Sequence, residues 1–399
     1  MAVTKEKDAA QQNVRGVAEG LVAISHELWD HPELAFEEFH SAEVCSEALD
    51  RAGFDVTSAI GGLETSFVAE HGTGDLVIGI CAEYDALPDI GHACGHNMIA
   101  ASAIGAGIGL AEVADDLGIT VRVYGTPAEE GGGGKILMAE QGAFDGVHLA
   151  MMVHPSPYES DVFPTLASSK CCYRLHGKNA HASLAPQLGI NAADAITIAQ
   201  VAMGLLRQHL EPGDQIHGIV TRGGEAPNVV PSLAEAKYVM RAPTLEALKQ
   251  LEPRVHRCFE AGALATGATL EIESFSHGRY SEFAHDESLA MAYRANAEQI
   301  GRVFQPRDSG AAAGSTDMAN LSLIMPAIHP SIGLDCAPHV NHQPEFAAHC
   351  RTEEADQALV DAATAMAWTC IDAATDPEMR DRFLRGDTSY GFRDDYPWT

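Results

Sequence analysis

Three apolar runs constrain the fold most. Asp75-Leu-Val-Ile-Gly-Ile-Cys81, Ile119-Thr-Val-Arg-Val-Tyr124 and Val147-His-Leu-Ala-Met-Met-Val153 read as strands, and the first has the unbroken apolar character of a strand buried on both faces. The Ala/Gly-rich stretch from Ile99 to about Asp115 reads as the helix after the first run. Consecutive βα units of this kind predict an α/β domain with a mostly parallel sheet. Ligand sites in such sheets lie at the carboxyl ends of the strands.

What stands at those ends is chemically selective. The first run leads through Glu83-Tyr-Asp85-Ala-Leu-Pro88 to His92-Ala-Cys94-Gly-His96. A thiolate and imidazoles together suit zinc or a similar divalent ion. The second run ends in Pro127-Ala-Glu129-Glu130 and the glycines 131–134. Adjacent residues on an extended chain point opposite ways, so one Glu can bind metal while the other stays free as a general base. The glycines let the backbone turn tightly. The third run ends in His154-Pro155. Singly, a buried Cys is more often packing than a ligand, and a Glu pair is more often a solvated surface. The coincidence of Cys/His, Glu/Glu and His at three strand ends favours a metal site.

Composition narrows the setting. A chain of 399 residues is long enough for two domains. It carries 56 acidic against 25 basic residues, a net charge of −31, which argues against a nucleic-acid partner because phosphate binding needs Lys/Arg patches. Membrane spans need about eighteen or more consecutive apolar residues, and the chain has no such run. Its charged start, Met1-Ala-Val-Thr-Lys-Glu-Lys-Asp8, is unlike a secretory signal. Nine cysteines without a spacing framework fit a reduced, cytoplasmic protein.

Farther along, one helix is expected over about Ala9–Trp29 and another over Glu37–Ala52. Around Thr165-Leu-Ala-Ser-Ser-Lys170 the pattern changes. A strand over Cys171–His176, a helix over Asn191–Leu210, strands over Gln215–Thr221 and Glu235–Arg241, a helix over Thr244–Gly267 and a strand over Thr269–Phe275 give the β-α-β-β-α-β order of a ferredoxin-like unit. This unit is inserted into the first domain. The predicted division is 1–166 with 279–399, and 167–278.

The motifs Cys94-Gly-His96, Pro127-Ala-Glu-Glu130, His154-Pro155 and Gly314-Ser-Thr-Asp317 resemble the aminoacylase/carboxypeptidase family of dimetal amidohydrolases, from about His26 to Cys370. The wording Glu83-Tyr-Asp-Ala-Leu-Pro88, Gly91-His-Ala-Cys-Gly-His-Asn97, His217-Gly-Ile219 and Arg241-Ala-Pro243 is similar to its subgroup of auxin-conjugate hydrolases, aminobenzoyl-glutamate hydrolase and β-alanyl-lysine dipeptidase, and most of all to the last. The resemblance implies a phosphorylase/hydrolase-like catalytic domain and an inserted dimerisation or lid domain. It implies two divalent ions, zinc first with manganese or cobalt as alternatives, held by Cys94, His96, Glu130, His154 and His342, with Cys94 bridging. His339 and His329 compete with His342. It further implies Glu129 as general base and His181 as an oxyanion donor supplied across a homodimer. Asn228, Arg241 and His217 then bind substrate, with Lys178 and Arg222 adding to a positive island. Asp85 orients a ligand, and residues 314–317 shape the pocket floor.

The expected activity is therefore metal-dependent hydrolysis of an N-acyl amino acid or dipeptide. Aminobenzoyl-glutamate or another aromatic amide is the alternative substrate. A thiol hydrolase using Cys94 and a non-catalytic binding protein are the readings outside this class.

Overall fold

The computed structural model describes residues 3–274, 278–304 and 314–386. Among them, the strands in chain order are β1 (Asp55–Ser58), β2 (Phe67–His71), β3 (Leu76–Ala82), β4 (Ile119–Gly125), β5 (Leu149–Met151), β6 (His154–Ser156), β7 (Ala167–His176), β8 (Gln215–Arg222), β9 (Leu233–Ala242), β10 (Thr269–Ser274), β11 (Ala327–Ile328) and β12 (Ser331–Gly333). The chain divides into two compact units. One runs to Pro164 and resumes at Phe283; the other is Thr165–Glu282.

The first unit is built on a six-stranded sheet in the order β1-β2-β4-β3-β5-β11. Its centre is parallel: β3 pairs in parallel with β4 and β5, and β5 with β11. β1 and β2 add an antiparallel edge. The Val/Ile-rich β3 is buried along almost its whole length. Helix His96–Ala111 follows it and is buried nearly all round, because helices Lys5–Gly16, Ala18–Asp30 and Glu353–Thr375 pack against it. Met98, Ile104 and Leu110 are essentially inaccessible, and burying side chains of this size contributes roughly 1.5–3 kcal/mol each.

Two expectations need correction here. The single helix over Ala9–Trp29 is two helices, broken at Val17 (φ −110°, ψ 4°) just after Gly16, a poor helix former. The third strand is also shorter than Val147–Val153. β5 stops at Met151, and His154 opens β6, which pairs with β12 in a separate two-stranded ladder.

The second unit has the β-α-β-β-α-β order. Its sheet runs β10-β7-β9-β8, antiparallel throughout. Helix Ala192–Leu206 is capped by Asn191, whose side chain accepts from the Ala193 and Asp194 amides. Thr244 caps helix Leu245–Thr266, which Gly267 ends at φ 78°. Tyr173 and Phe259 stack in the core with ring centroids 3.7 Å apart. β10 is described to Ser274; the expected end at Phe275 lies outside the described residues.

Candidate metal centre

The parallel centre of the first sheet brings the ends of β3, β4 and β5 together, and the donors gather there. Gly95 takes a left-handed conformation (φ 77°) just before helix His96–Ala111. A Cβ there would meet Pro155 Cγ at 2.9 Å, so glycine is what lets the Cys94–His96 loop close on the His154–Pro155 segment. His342 joins from far along the chain: its amide donates to the Ala93 carbonyl at 2.9 Å.

Five of the donors form two sets whose ligand atoms lie within 4.8 Å of one another, Cys94, His96 and His154, and Cys94, Glu130 and His342; His96 also stands in a further set with Glu83 and Glu129. Cys94 belongs to the first two. Neither His339 nor His329 enters a donor set among the described residues. His339 sits by His349, with ring centroids 5.8 Å apart. His329 is buried, its ring 5.3 Å from that of His154.

The residues fit divalent ions. His96 Nδ1 faces the Asp85 carbonyl oxygen at 2.7 Å and Oδ1 at 3.0 Å. A proton on Nδ1 leaves Nε2 as a lone pair. Nε2 has no hydrogen-bond partner, yet lies 3.5 Å from Glu83 Oε2 and 3.9 Å from Glu129 Oε2 and from Glu130 Oε1. A buried lone pair facing three carboxylates is costly unless a cation or a proton stands between them. Burial pulls the His96 pKa down, but Asp85, Glu83 and Glu130 outweigh it and hold it well above the imidazole range. Burial, with the His96 charge, brings His154 down to about 4, so its imidazole stays neutral, the form that binds metal. Burial pushes the Cys94 thiol well up, and Glu130, Glu129 and Asp85 add to this. A lone thiolate nucleophile is disfavoured in such a field; a cation alongside would release the proton. That argues against the thiol hydrolase.

Glu129 and Glu130 separate differently from the extended-chain expectation. They lie on a turn after Ala128, whose φ is 59°. Glu38 Oε1 accepts from the Ala128 amide at 2.9 Å, and the Ala128 carbonyl accepts from Gly132 and Gly133. A Cβ at Gly134 would stand 1.8 Å from the Pro127 carbonyl oxygen. Asp85 Oδ2 also takes the Glu130 amide at 3.0 Å, so Asp85 steadies both His96 and Glu130. Burial raises the Glu129 pKa well above the carboxylate range, and Glu83, Glu130 and Asp317 raise it further. Such a carboxyl is suited to holding a proton.

One group escaped the sequence reading. Lys135 is fully buried; its Nζ donates to Glu83 Oε1 at 2.5 Å and Asp317 Oδ1 at 2.7 Å. A lysine heading an otherwise apolar helical run, Lys135-Ile-Leu-Met138, was its only sequence signal. Asp317, expected to shape a pocket floor, anchors this lysine.

In the second unit, His181 is exposed and its Nδ1 accepts from the Ser183 and Leu184 amides, both at 3.3 Å. Nε2 therefore carries the ring proton. Asn228 lies beside it, its carbonyl accepting from the Ala182 amide at 3.0 Å. His217 on β8 and Arg241 on β9 are near neighbours: burial, then the Arg241 charge, lowers the His217 pKa. Lys178 is exposed. Arg222, the last residue of β8, is ion-paired with Glu225 just beyond the strand, which weakens its part in the proposed positive island.

Comparison with known proteins assigns the family. Residues 79–367 match the model of peptidase family M20/M25/M40. The chain belongs to this family. A mouse (Mus musculus) Xaa-Arg dipeptidase is 35% identical over 391 residues, covering 94% of this chain and 90% of the relative. A p-aminobenzoyl-glutamate hydrolase polypeptide of Escherichia coli (strain K12) is 38% identical over 270 residues, covering 62% of this chain and 56% of the relative. The solved structure of a dinuclear metal-binding M20 peptidase from Bacillus subtilis matches with a TM-score of 0.67 at 24% identity, covering 90% of this chain and 98% of the other. Within the family this chain is a metal-dependent peptidase or amidohydrolase. No helix among the described residues is long and apolar enough to cross a membrane.

Proposed function

We propose that this chain is a two-ion dipeptidase and N-acyl amino acid hydrolase, working as a homodimer. The observation that carries the reading is Cys94, shared by two donor sets beside Glu129. One ion falls to Cys94, His96 and His154, the other to Cys94, Glu130 and His342. Zinc suits this mixture of thiolate, imidazole and carboxylate; manganese and cobalt are alternatives. When bound, the ions polarise the amide carbonyl and acidify water.

The chain's residues do the rest. Glu129 takes the proton of the attacking water and delivers it to the leaving amine. Asp85 fixes the tautomer of His96. His181, with Nε2–H as donor, stabilises the oxyanion in the partner subunit's site. Arg241 and Asn228, flanked by His217, hold the carboxylate of the leaving amino acid; a guanidinium suits this through its planar fork.

Dipeptides ending in a basic residue are the first substrates we assign. The similarity to Xaa-Arg dipeptidase supports this, as does a net charge of −31, which draws cations toward the protein. Aminobenzoyl-glutamate is the second, on the E. coli relative. The homodimer is supported by β8, an edge strand with Ile219 64% and Val220 43% exposed. An open apolar edge of this kind invites pairing with another strand. Nine free cysteines favour the cytoplasm. A hydrolysis screen over dipeptides, N-acyl amino acids and aminobenzoyl-glutamate, read as released amine with and without chelator, tests the assignment. Release should be greatest from dipeptides with a C-terminal Arg or Lys and should stop in chelator. Release that chelator leaves unchanged would refute the reading.

A further inference from the structure

We propose that Glu27, His31 and His40 hold a further divalent ion, of zinc type, which clips together the ends of two helices. Glu27 lies in the last turn of helix Ala18–Asp30, and His31 caps its end. His40 lies in the first turn of helix Phe39–Arg51. The ligand atoms of the three lie within 4.8 Å of one another, and the set shares no residue with the metal centre.

Spacing along the chain and in space agree. Glu27 and His31 are four residues apart, which sets two side chains on one helix face. The H-E-x-x-H motif uses the same spacing to aim two ligands at one zinc. The third donor comes from the next helix. His40 Nε2 lies 2.9 Å and His31 Nδ1 3.2 Å from the same oxygen, Glu27 Oε1. The two rings stand edge to face, with centroids 5.4 Å apart. Two imidazoles and a carboxylate are a zinc-binding set that leaves a fourth position to water. His31 Nδ1 is also 3.0 Å from the Glu27 carbonyl oxygen. Ring protons make these contacts when no ion is bound. With an ion, each exposed ring carries its proton on the other nitrogen.

The backbone holds the donors in place. Glu33 Oε1 accepts from the His40 amide at 3.0 Å, and Oε2 from the Ser41 amide and hydroxyl, both at 2.8 Å. These bonds satisfy open amides at a helix start and fix the turn that carries His40. The Glu33 carbonyl accepts from the Ala86 amide at 2.8 Å, and Glu38 Oε1 from the Ala128 amide at 2.9 Å. The segment between the two helices thus braces the chain next to Asp85 and next to Glu129, and the ion ties that brace shut. The three side chains are 40–58% exposed, so this ion exchanges with solvent and mild chelator removes it ahead of those in the metal centre.

The test uses full-length parent, His31→Ala, His40→Ala and the double variant. Each is loaded with zinc and dialysed against mild chelator. Free zinc is then titrated back, with ion content read by equilibrium dialysis and melting temperature recorded. The parent should take up one ion per chain more than the double variant. Each single variant should need about 10-fold or more free zinc to do the same, since losing even an outer partner of a ligand costs this much. Zinc should also raise the melting temperature of the parent beyond that of the double variant, because an ion that binds only the folded chain stabilises it. The comparison is independent of how many ions the metal centre holds. Should one single variant not fold, the other decides. Equal uptake by parent and variants at the same free zinc would show that the three groups are only hydrogen-bonded and would overturn the proposal.

Discussion

Glu129 and Glu130 are neighbours in sequence but stand in different donor sets. Glu130 shares a donor set with Cys94 and His342, while Glu129 faces His96 and Glu83. Glu129→Gln should therefore keep its metal and lose about 10²–10⁴-fold in turnover, the usual weight of a general acid-base group. Glu130→Gln should instead weaken metal binding. Parallel measurement of metal content and turnover separates the two; near-parental turnover in Glu129→Gln would mean that the roles are wrongly assigned. Cys94, His96, the two glutamates and His154 were legible because a parallel sheet collects whatever stands at its strand ends. Glu83, Lys135 and Asp317 were not. Lys135 lies 52 residues from Glu83 and 182 from Asp317, and charges so far apart give no local pattern. His342 emerged from family resemblance rather than from periodicity; its amide is bonded to the Ala93 carbonyl and its Nε2 lies 3.5 Å from Glu130 Oε2.

Among elements, Glu38 links the start of helix Phe39–Arg51 to the loop after β4. Its Oε1 takes the Ala128 amide and its Oε2 the Thr65 hydroxyl, both at 2.9 Å. Burial, with the Asp85 charge, raises its pKa from 4.5 to about 7. Between those values the folded state keeps a proton that the unfolded state has lost, so stability falls as pH rises through this window. Glu38→Gln removes the titration. Denaturant melts of both proteins across the window should show the variant gaining on the parent up to about pH 7 and by a constant margin above it. A pH-independent difference would assign the buried charge elsewhere. The long apolar runs and the two capped helices of the second unit were readable because period and caps agree there. The β1–β2 edge was not foreseen: β1 has four residues and is mostly exposed, leaving no alternation to detect. The break at Val17 was hidden because the apolar pattern continues through it.

For the whole molecule, the proposed dimer brings His181 of one subunit to the Glu129 of another. Mixed His181→Ala and Glu129→Gln chains should then regain activity after subunit exchange, because one site of the heterodimer holds both groups. If verified heterodimers stay inactive, His181 acts within its own chain or not at all. The central claim is that Cys94 joins two ions into one hydrolytic site. Metal analysis of the parent, Cys94→Ala, His154→Ala and His342→Ala at equal chelator tests it most directly. The parent should hold two ions, His154→Ala and His342→Ala should each lose one, and Cys94→Ala should lose its hold on both. A Cys94→Ala protein that keeps both ions as firmly as the parent would contradict the account.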